Sequence, residues 1–259
     1  MGELYLIGLG INDEKDISLR GLEILRKVDR VYAEFYTSFF SGDLKKLGKL
    51  AKKRISILSR KDLEENLEIF LKGIKGSAAL LVHGDPMVAT THLSIILKAN
   101  ELGIITKVIH SSSVYSAICE TGLHIYKFGQ IASIPYPEEK YQPESFYDII
   151  KRNKNANLHT LLLLDVKYDQ KKFMSVNEAI EILLRLESKR KEKVFEDETE
   201  CVGIARLGSD DQVIKYGKAY NLLKENFGKP PHSLVVLGDL HFTEKEAISR
   251  FRLRCESFE

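Results

Sequence analysis

The chain of 259 residues has no tryptophan, six prolines and only three cysteines. Cys119, Cys201 and Cys255 are far apart, odd in number and form no Cys-x-x-Cys pair. A disulfide framework is therefore not indicated, and a reduced, cytoplasmic setting is expected. Charge of one sign is also scarce, since 39 Lys+Arg against 37 Asp+Glu leaves +2. That balance gives no general electrostatic footprint for nucleic acid, so any macromolecular partner must be recognised locally. No apolar run approaches the roughly 20 residues that span a bilayer. The start, MGELYLIGLG, lacks the basic n-region and long apolar core of a signal peptide, and Leu6 stands where myristoylation needs Ser or Thr. The end, CESFE, is not a prenylation box, so no membrane role is expected. What is present is a globular composition, 44% hydrophobic and 29% charged, at a length where single cores begin to split into two domains.

Apolar, β-rich runs alternate with helical patterns, which predicts βαβ units around a mainly parallel sheet. Strands are expected at Leu4 to Leu9, Val31 to Phe35, Ala78 to Val82 and Ile104 to Ile109. Helices are expected from Ser18, over Asp62 to Lys72 with Asp62 as cap and Glu65 as box partner, and over His92 to Glu101. Near Ser111 the character shifts to small residues, which sets an expected boundary between an N-terminal α/β domain, 1–112, and a C-terminal α/β domain, 113–259. Beyond it, Leu158 to Val166 reads as a strand buried on both faces and Asn177 to Glu187 as a helix. Strands at Val202 to Ala205, Val213 to Tyr216 and Leu234 to Leu237, a helix near Ala219 to Glu225 and a terminal helix from Glu244 complete the pattern. The run Ser188 to Lys193 reads as solvated surface.

The first strand ends in Gly8-Leu9-Gly10-Ile11-Asn12-Asp13, which opens like a dinucleotide fingerprint but has Asp13 where the third glycine belongs. A turn that cradles pyrophosphate is disfavoured, and no Gly-x-x-x-x-Gly-Lys-Ser/Thr is present for phosphoryl transfer. His83, His92, His110 and His124 match no zinc spacing, so no metal is expected. A serine-nucleophile elbow and a cysteine-nucleophile signature are both missing. The stretch LLVHGDPMVATTH, from Leu80 to His92, places an apolar strand before Gly84-Asp85-Pro86. Its carboxyl end is where open α/β sheets form ligand crevices, though taken alone the stretch reads more readily as Asp-Pro turn chemistry with Thr90 or Thr91 capping the next helix. Asp165, at the end of LLLLDV, reads either as a site carboxylate or as a loop-bonding one. His232, pinned behind Pro230 and Pro231, reads more readily as structural.

GLGINDEKDIS, AEFYTS, HGDPMVATTH, ETGLHIYKFGQIASIPYP, LHTLLLLDVK, VGIARLGS and FGKPPHSLVVLGDLHF occur in this order. Together they resemble the diphthine synthases of archaeal type, in the tetrapyrrole-methylase-like class of S-adenosylmethionine-dependent methyltransferases. The resemblance runs from residue 4 to about residue 246. It implies a two-domain tetrapyrrole-methylase-like α/β fold, each domain a mixed or mainly parallel sheet flanked by helices, with a ligand cleft between domains, working as a homodimer. The GDP segment is shared across the class, whereas Ala-Thr-Thr-His, Glu-Phe-Tyr-Thr-Ser and Pro-Pro-His look specific to the diphthine branch. One departure is Asp239 in GDLHF, where the family is expected to carry lysine.

Carried over by motif, the donor contacts implied are Leu9, Asp85, Val88, Ser113, Val114, Leu164, Leu207 and His232. The implied activity is methylation of the amino group on the 3-amino-3-carboxypropyl-histidine of translation elongation factor 2, a step toward diphthamide. S-adenosyl-L-methionine is the implied donor and S-adenosyl-L-homocysteine the product. No catalytic residue is assigned, because an amine with a tuned pKa loses its proton to solvent before attack. Asp85 is the first residue to test, as an anchor for the donor or a countercharge to its sulfonium. A tetrapyrrole methyltransferase, an RNA ribose methyltransferase and a non-catalytic nucleotide-binding or interaction protein remain alternatives at this stage.

Overall fold

A computed structural model describes residues 2–36, 38–138 and 142–253. Thr37 of the AEFYTS run and Cys255 lie outside them. The chain divides into two compact units, Met1–Ala117 with Lys167–Gln170, and Ile118–Val166 with Lys171–Glu259. Among the described residues no helix is long and apolar enough to cross a membrane.

The first unit runs β1 (Glu3–Gly8), α1 (Leu19–Lys27), β2 (Arg30–Glu34), α2 (Leu44–Ala51), β3 (Ile55–Leu58), α3 (Arg60–Glu64), α4 (Leu67–Lys72), β4 (Ser77–Val82), α5 (Leu93–Glu101), β5 (Ile105–Ile109) and α6 (Val114–Ala117). Its five strands form a sheet in the order β3-β2-β4-β1-β5, every pair parallel. Side chains alternate across a strand, so the two faces take different residues of the same run. Leu4, Leu6, Ala78, Leu80 and Val82 pack on one face with Ile95 and Ala99 of α5. Ile7, Ala79 and Leu81 pack on the other with Leu25 of α1 and Leu47 of α2. Burial on both faces explains why β1 and β4 read as nearly continuous apolar runs.

Two expectations need correction here. The helix expected over Asp62 to Lys72 is two helices, α3 and α4, broken at Glu65 and Asn66. The cap is Ser59, and Asp62 is its box partner, each side chain bonding the other's backbone amide. Asp62 combines a cap's chemistry with the third-position role of an acidic box partner, so a start three residues upstream wins. The second concerns α2 and β3, which were not among the expected elements. Leu47 and Ala51 make a buried stripe at helical spacing, and Asp43 caps it by accepting from the Lys45 amide.

The second unit runs β6 (Ala132–Ile134), α7 (Ser145–Asn155), β7 (Thr160–Leu164), two short strands β8 (Val166–Lys167) and β9 (Lys172–Phe173), α8 (Val176–Arg190), β10 (Glu200–Ala205), β11 (Val213–Lys218), α9 (Ala219–Leu222), β12 (His232–Val236) and α10 (Phe242–Ile248). Its main sheet, β11-β10-β12-β7-β6, is antiparallel except for the β6–β7 pair. One core holds it together, built from Leu162, Leu164, Ile180, Leu183, Phe195, Phe227 and Leu234 among others. Ser175 and Glu178 form a capping box at the start of α8.

Candidate functional site

In the first unit the carboxyl ends of β1, β4 and β5 converge. A Cβ on Gly8 would stand 2.6 Å from the Gly84 carbonyl oxygen and 2.7 Å from the Ser111 Cβ, so only glycine allows this approach. Past the strands, the Gly84 amide donates to the Gly10 carbonyl at 2.7 Å and the Gly10 amide returns to Gly84 at 3.3 Å. Gly84 has φ of 75°, and no atom lies within 4 Å of where its Cβ would be. This glycine therefore borders open space. In the turn after β1, the Asn12 amide donates to the Asp16 carboxylate at 2.9 Å, and the Lys15 amide to Asp13 at 2.8 Å. Amides that a pyrophosphate would need are taken by the chain's own carboxylates, whose charge would also repel it. The turn suits a ligand without phosphate.

Asp85 is buried, with 6% of its surface exposed. One carboxylate oxygen accepts from the Met87 amide at 2.9 Å, and the other from His110 Nδ1 at 2.9 Å and the Ser111 amide at 3.1 Å. It thus ties the turn after β4 to the end of β5. The next residue, Pro86, offers its carbonyl to the Thr90 hydroxyl at 2.7 Å and to His92 Nδ1 at 3.1 Å. Ala89 between them has φ of 54°, in the left-handed region that costs an L side chain. Neither threonine side chain caps α5. The cap position is His92, Thr90 turns back onto Pro86, and the Thr91 carbonyl accepts from Ser94.

Ser113 opens α6, its carbonyl accepting from the amides of Ser116 and Ala117 at 3.1 and 2.9 Å, and Val114 follows it. The first unit thus brings Leu9, Asp85, Val88, Ser113 and Val114 to the same end of three adjacent strands, β4-β1-β5.

In the second unit, Leu164 ends β7, His232 begins β12, and the ladder pairs Ser233 with Leu163 and His232 with Ala205. Leu207, two residues beyond β10, completes a group on one sheet end. Arg206 holds this end together. Its amide donates to the Pro231 carbonyl at 2.9 Å, and its guanidinium bonds the carbonyls of Phe227 and Lys229 and the Asp211 carboxylate. His232 accepts from the Val176 amide at Nδ1, 3.3 Å, and donates from Nε2 to the Lys229 carbonyl, 3.0 Å. Burial pushes its pKa down, in keeping with a neutral ring. Both ring nitrogens are therefore committed to backbone. Asp165 takes its loop-bonding reading, its carboxylate accepting from the Tyr136 amide at 2.8 Å.

Chemically, two of the three polar side chains of the candidate set, Asp85 and His232, shape loops. The rest of the set is apolar apart from Ser113: Leu9, Val88 and Val114 in the first unit, and Leu164 and Leu207 in the second, with Leu9, Leu164 and Leu207 buried. Apolar residues beside a few polar groups are what a small-molecule site commonly presents. Sequence reasoning missed His110, Ser111 and Arg206, which share no short-range spacing with the residues they hold. It also missed Glu34, for which a signal existed, an acid inside the apolar run VYAEF. Asp239, the departure noted above, contributes its carbonyl as an acceptor for Lys127 Nζ. No group of three or more His, Cys, Asp or Glu side chains among the described residues is arranged to hold a metal ion.

Comparison with known proteins adds the following. Residues 3–223 match the family model of tetrapyrrole (corrin/porphyrin) methylases. Diphthine synthase of Methanococcus vannielii is 43% identical over 247 residues, 95% of this chain and 97% of that protein. Diphthine methyl ester synthase of Dictyostelium discoideum is 41% identical over 269 residues, 97% of this chain and 98% of that protein. A crystal structure of diphthine synthase superimposes with a TM-score of 0.86 at 40% identity, covering 96% of this chain and 95% of the other. The chain belongs to the tetrapyrrole (corrin/porphyrin) methylase family, in its diphthine synthase branch.

Proposed function

We propose that this chain, an S-adenosylmethionine-dependent methyltransferase by family, methylates the amino group of the 3-amino-3-carboxypropyl-histidine of elongation factor 2 to give diphthine. It does so in the cytoplasm as a homodimer. The observation that supports the donor is the turn after β1, whose Asn12 and Lys15 amides are held by Asp16 and Asp13 and so are not offered to a phosphate. The acceptor rests on the names of relatives that match nearly the whole chain at just over 40% identity. The proposed donor contacts are Leu9, Asp85, Val88, Ser113 and Val114 in the first unit and Leu164, Leu207 and His232 in the second.

When bound, the donor supplies a methyl group already activated by a sulfonium. The chain has to align a neutral amine with that methyl and keep water out, which lowers the barrier through orientation rather than through a strong base. Asp85 works mainly through the turn it folds, and its negative charge favours a sulfonium over an anionic ligand. His232, with both nitrogens engaged by backbone, acts as a fixed apolar edge with no proton to give.

The test is mass spectrometry of elongation factor 2 carrying the aminocarboxypropyl histidine, after incubation with the chain and S-adenosylmethionine. Successive methyl gains on that residue are expected, and no gain would overturn the assignment. The Dictyostelium relative's name, diphthine methyl ester synthase, favours a second product, a carboxyl ester. A gain lost in mild alkali marks the ester, whereas N-methyl groups survive.

A further inference from the structure

Glu34 closes the apolar strand β2 and His92 immediately precedes α5, and both side chains are fully buried. His92 Nε2 lies 3.3 Å from Glu34 Oε1, an ion-pair distance without the alignment of a hydrogen bond. Nδ1 lies 3.1 Å from the Pro86 carbonyl. A carbonyl brings no proton, so Nδ1 must carry one and donate it. The other nitrogen then faces the Glu34 carboxylate. Apolar residues of similar volume often serve stability as well as a buried ion pair does. A pair in this place is therefore better explained by what it holds than by the stability it adds.

What it holds is the turn. The Pro86 carbonyl receives the His92 ring and the Thr90 hydroxyl, and the residue before it, Asp85, has its carboxylate bonded toward β5. Asp85 and Val88 are thereby fixed from two sides, toward β5 by a carboxylate and toward β2 by a carbonyl. Tyr36 and His83 both lie within electrostatic reach of Glu34, Tyr36 also within reach of Glu64 and Arg60, and His83 of Asp16. Burial, with Glu34 and Glu64 nearby, pushes Tyr36 up to about 12, so its hydroxyl stays protonated. His83 donates from Nε2 to the Ile11 carbonyl at 3.2 Å, and burial pushes its pKa down.

We propose that His92, backed by Glu34, is a positioning residue for the methyl donor, fixing the Pro86 carbonyl and through it the backbone of Asp85 and Val88. The inference rests on the donor reading given above. It is tested by calorimetric titration of the full chain with S-adenosylhomocysteine. His92→Phe is expected to weaken binding about tenfold or more. Turnover at saturating donor should change far less. Glu34→Gln, whose amide donates to Nε2 and leaves the Nδ1 proton on Pro86, should stay within about threefold of the parent. Equal affinity in all three proteins, with only lower melting temperatures in the variants, would overturn the proposal as a purely structural pair. Absence of binding to the parent chain would overturn the donor reading instead. Should His92→Phe fail to fold, ¹⁵N spectra of the parent's imidazoles decide, since His92 must show a proton on Nδ1 with and without S-adenosylhomocysteine, and a bare Nδ1 refutes the clamp.

Discussion

In the first unit Asp85 gathers the amides of Met87 and Ser111 and the ring of His110. In the second, Glu244 gathers the amides of His124 and His241, both at 2.8 Å, the His159 ring at 3.2 Å and Lys127 at 3.3 Å. Both carboxylates are buried, and both collect a histidine and two amides. Their settings differ. Glu244 is the third residue of α10 and completes its capping box, and His159 passes the chain of bonds on to the Gly238 amide. Every neighbour of Glu244 belongs to the scaffold. Asp85 stands at the carboxyl ends of parallel strands, next to Gly84 and its open side. A buried acid with a histidine partner therefore does not mark a site by itself. Topology and adjacent space separate a ligand turn from a helix staple.

The sharpest way to break this comparison is to remove each carboxylate. Glu244→Ala strands His159, Lys127 and two amides, and should cost about 3–5 kcal/mol, the usual penalty for breaking a buried pair. Calorimetric melting should fall by about 10 °C, while affinity for S-adenosylhomocysteine, measured where the variant is folded, stays the same. Asp85→Ala should do the reverse, with a smaller stability loss of about 1–3 kcal/mol and affinity reduced at least about tenfold. If both variants lose stability alone, the distinction between the two carboxylates is wrong.

Acid sharpens the same contrast. Burial works to raise the pKa of Glu244, but the amides of His124 and His241 and the His159 ring outweigh it and hold the carboxylate at about 2. Glu187 is alike. Burial is outweighed there by the Tyr147 hydroxyl at 2.6 Å and the amides of Phe195, Lys193 and Val194, and the group again lies at about 2. A folded-state pKa below the unfolded value of 4.5 gives stability that is complete above pH 4.5 and lost as pH falls toward 2. Both groups belong to the second unit. Hydrogen exchange between pH 5 and 3, after correction for intrinsic rates, should show the amides of Val194, Phe195 and His241 losing protection first. Earlier loss at Met87 and Ser111 would contradict this order.

How much of this was legible in the sequence follows from the range of the interactions. β1 and β4 stand out because burial on both faces leaves an apolar run. The turn after β4 stands out because Gly84, Asp85 and Pro86 are local turn chemistry. α2 stayed hidden because lysines supply most of its exposed faces, and the break between α3 and α4 because Asp62 can serve as either cap or box partner. The partners of the site residues could not be read. His110 and Ser111 reach Asp85 across the whole of α5, and Glu34 reaches His92 only because β2 and β4 are neighbours in the sheet. His232 was legible as pinned by prolines, but the loss of Nδ1 to the Val176 amide at the start of α8 depends on tertiary packing.

Within the turn, Thr90→Val should act more weakly than changes at Asp85. The Pro86 carbonyl keeps His92 when the hydroxyl goes, so about 1 kcal/mol of turn stability and a severalfold rise in the S-adenosylhomocysteine dissociation constant are expected. A drop as large as that of Asp85→Ala would mean that Thr90, not the carboxylate, organises the turn.

The smallest effect belongs to His110. Its bond to Asp85 is as short as that of the Met87 amide, 2.9 Å, yet its side chain is 70% exposed, whereas Asp85 is nearly sealed. Water replaces an exposed partner at little cost, and exposed ion pairs contribute from nothing to about 1 kcal/mol. His110→Ala should therefore leave the dissociation constant for S-adenosylhomocysteine within about threefold, because the amides of Met87 and Ser111 still hold the carboxylate. What effect there is should shrink further in high salt, as an exposed electrostatic contact does. A tenfold loss insensitive to salt would show that the imidazole is part of the donor's own contact surface, and would shift the site from the turn toward the end of β5.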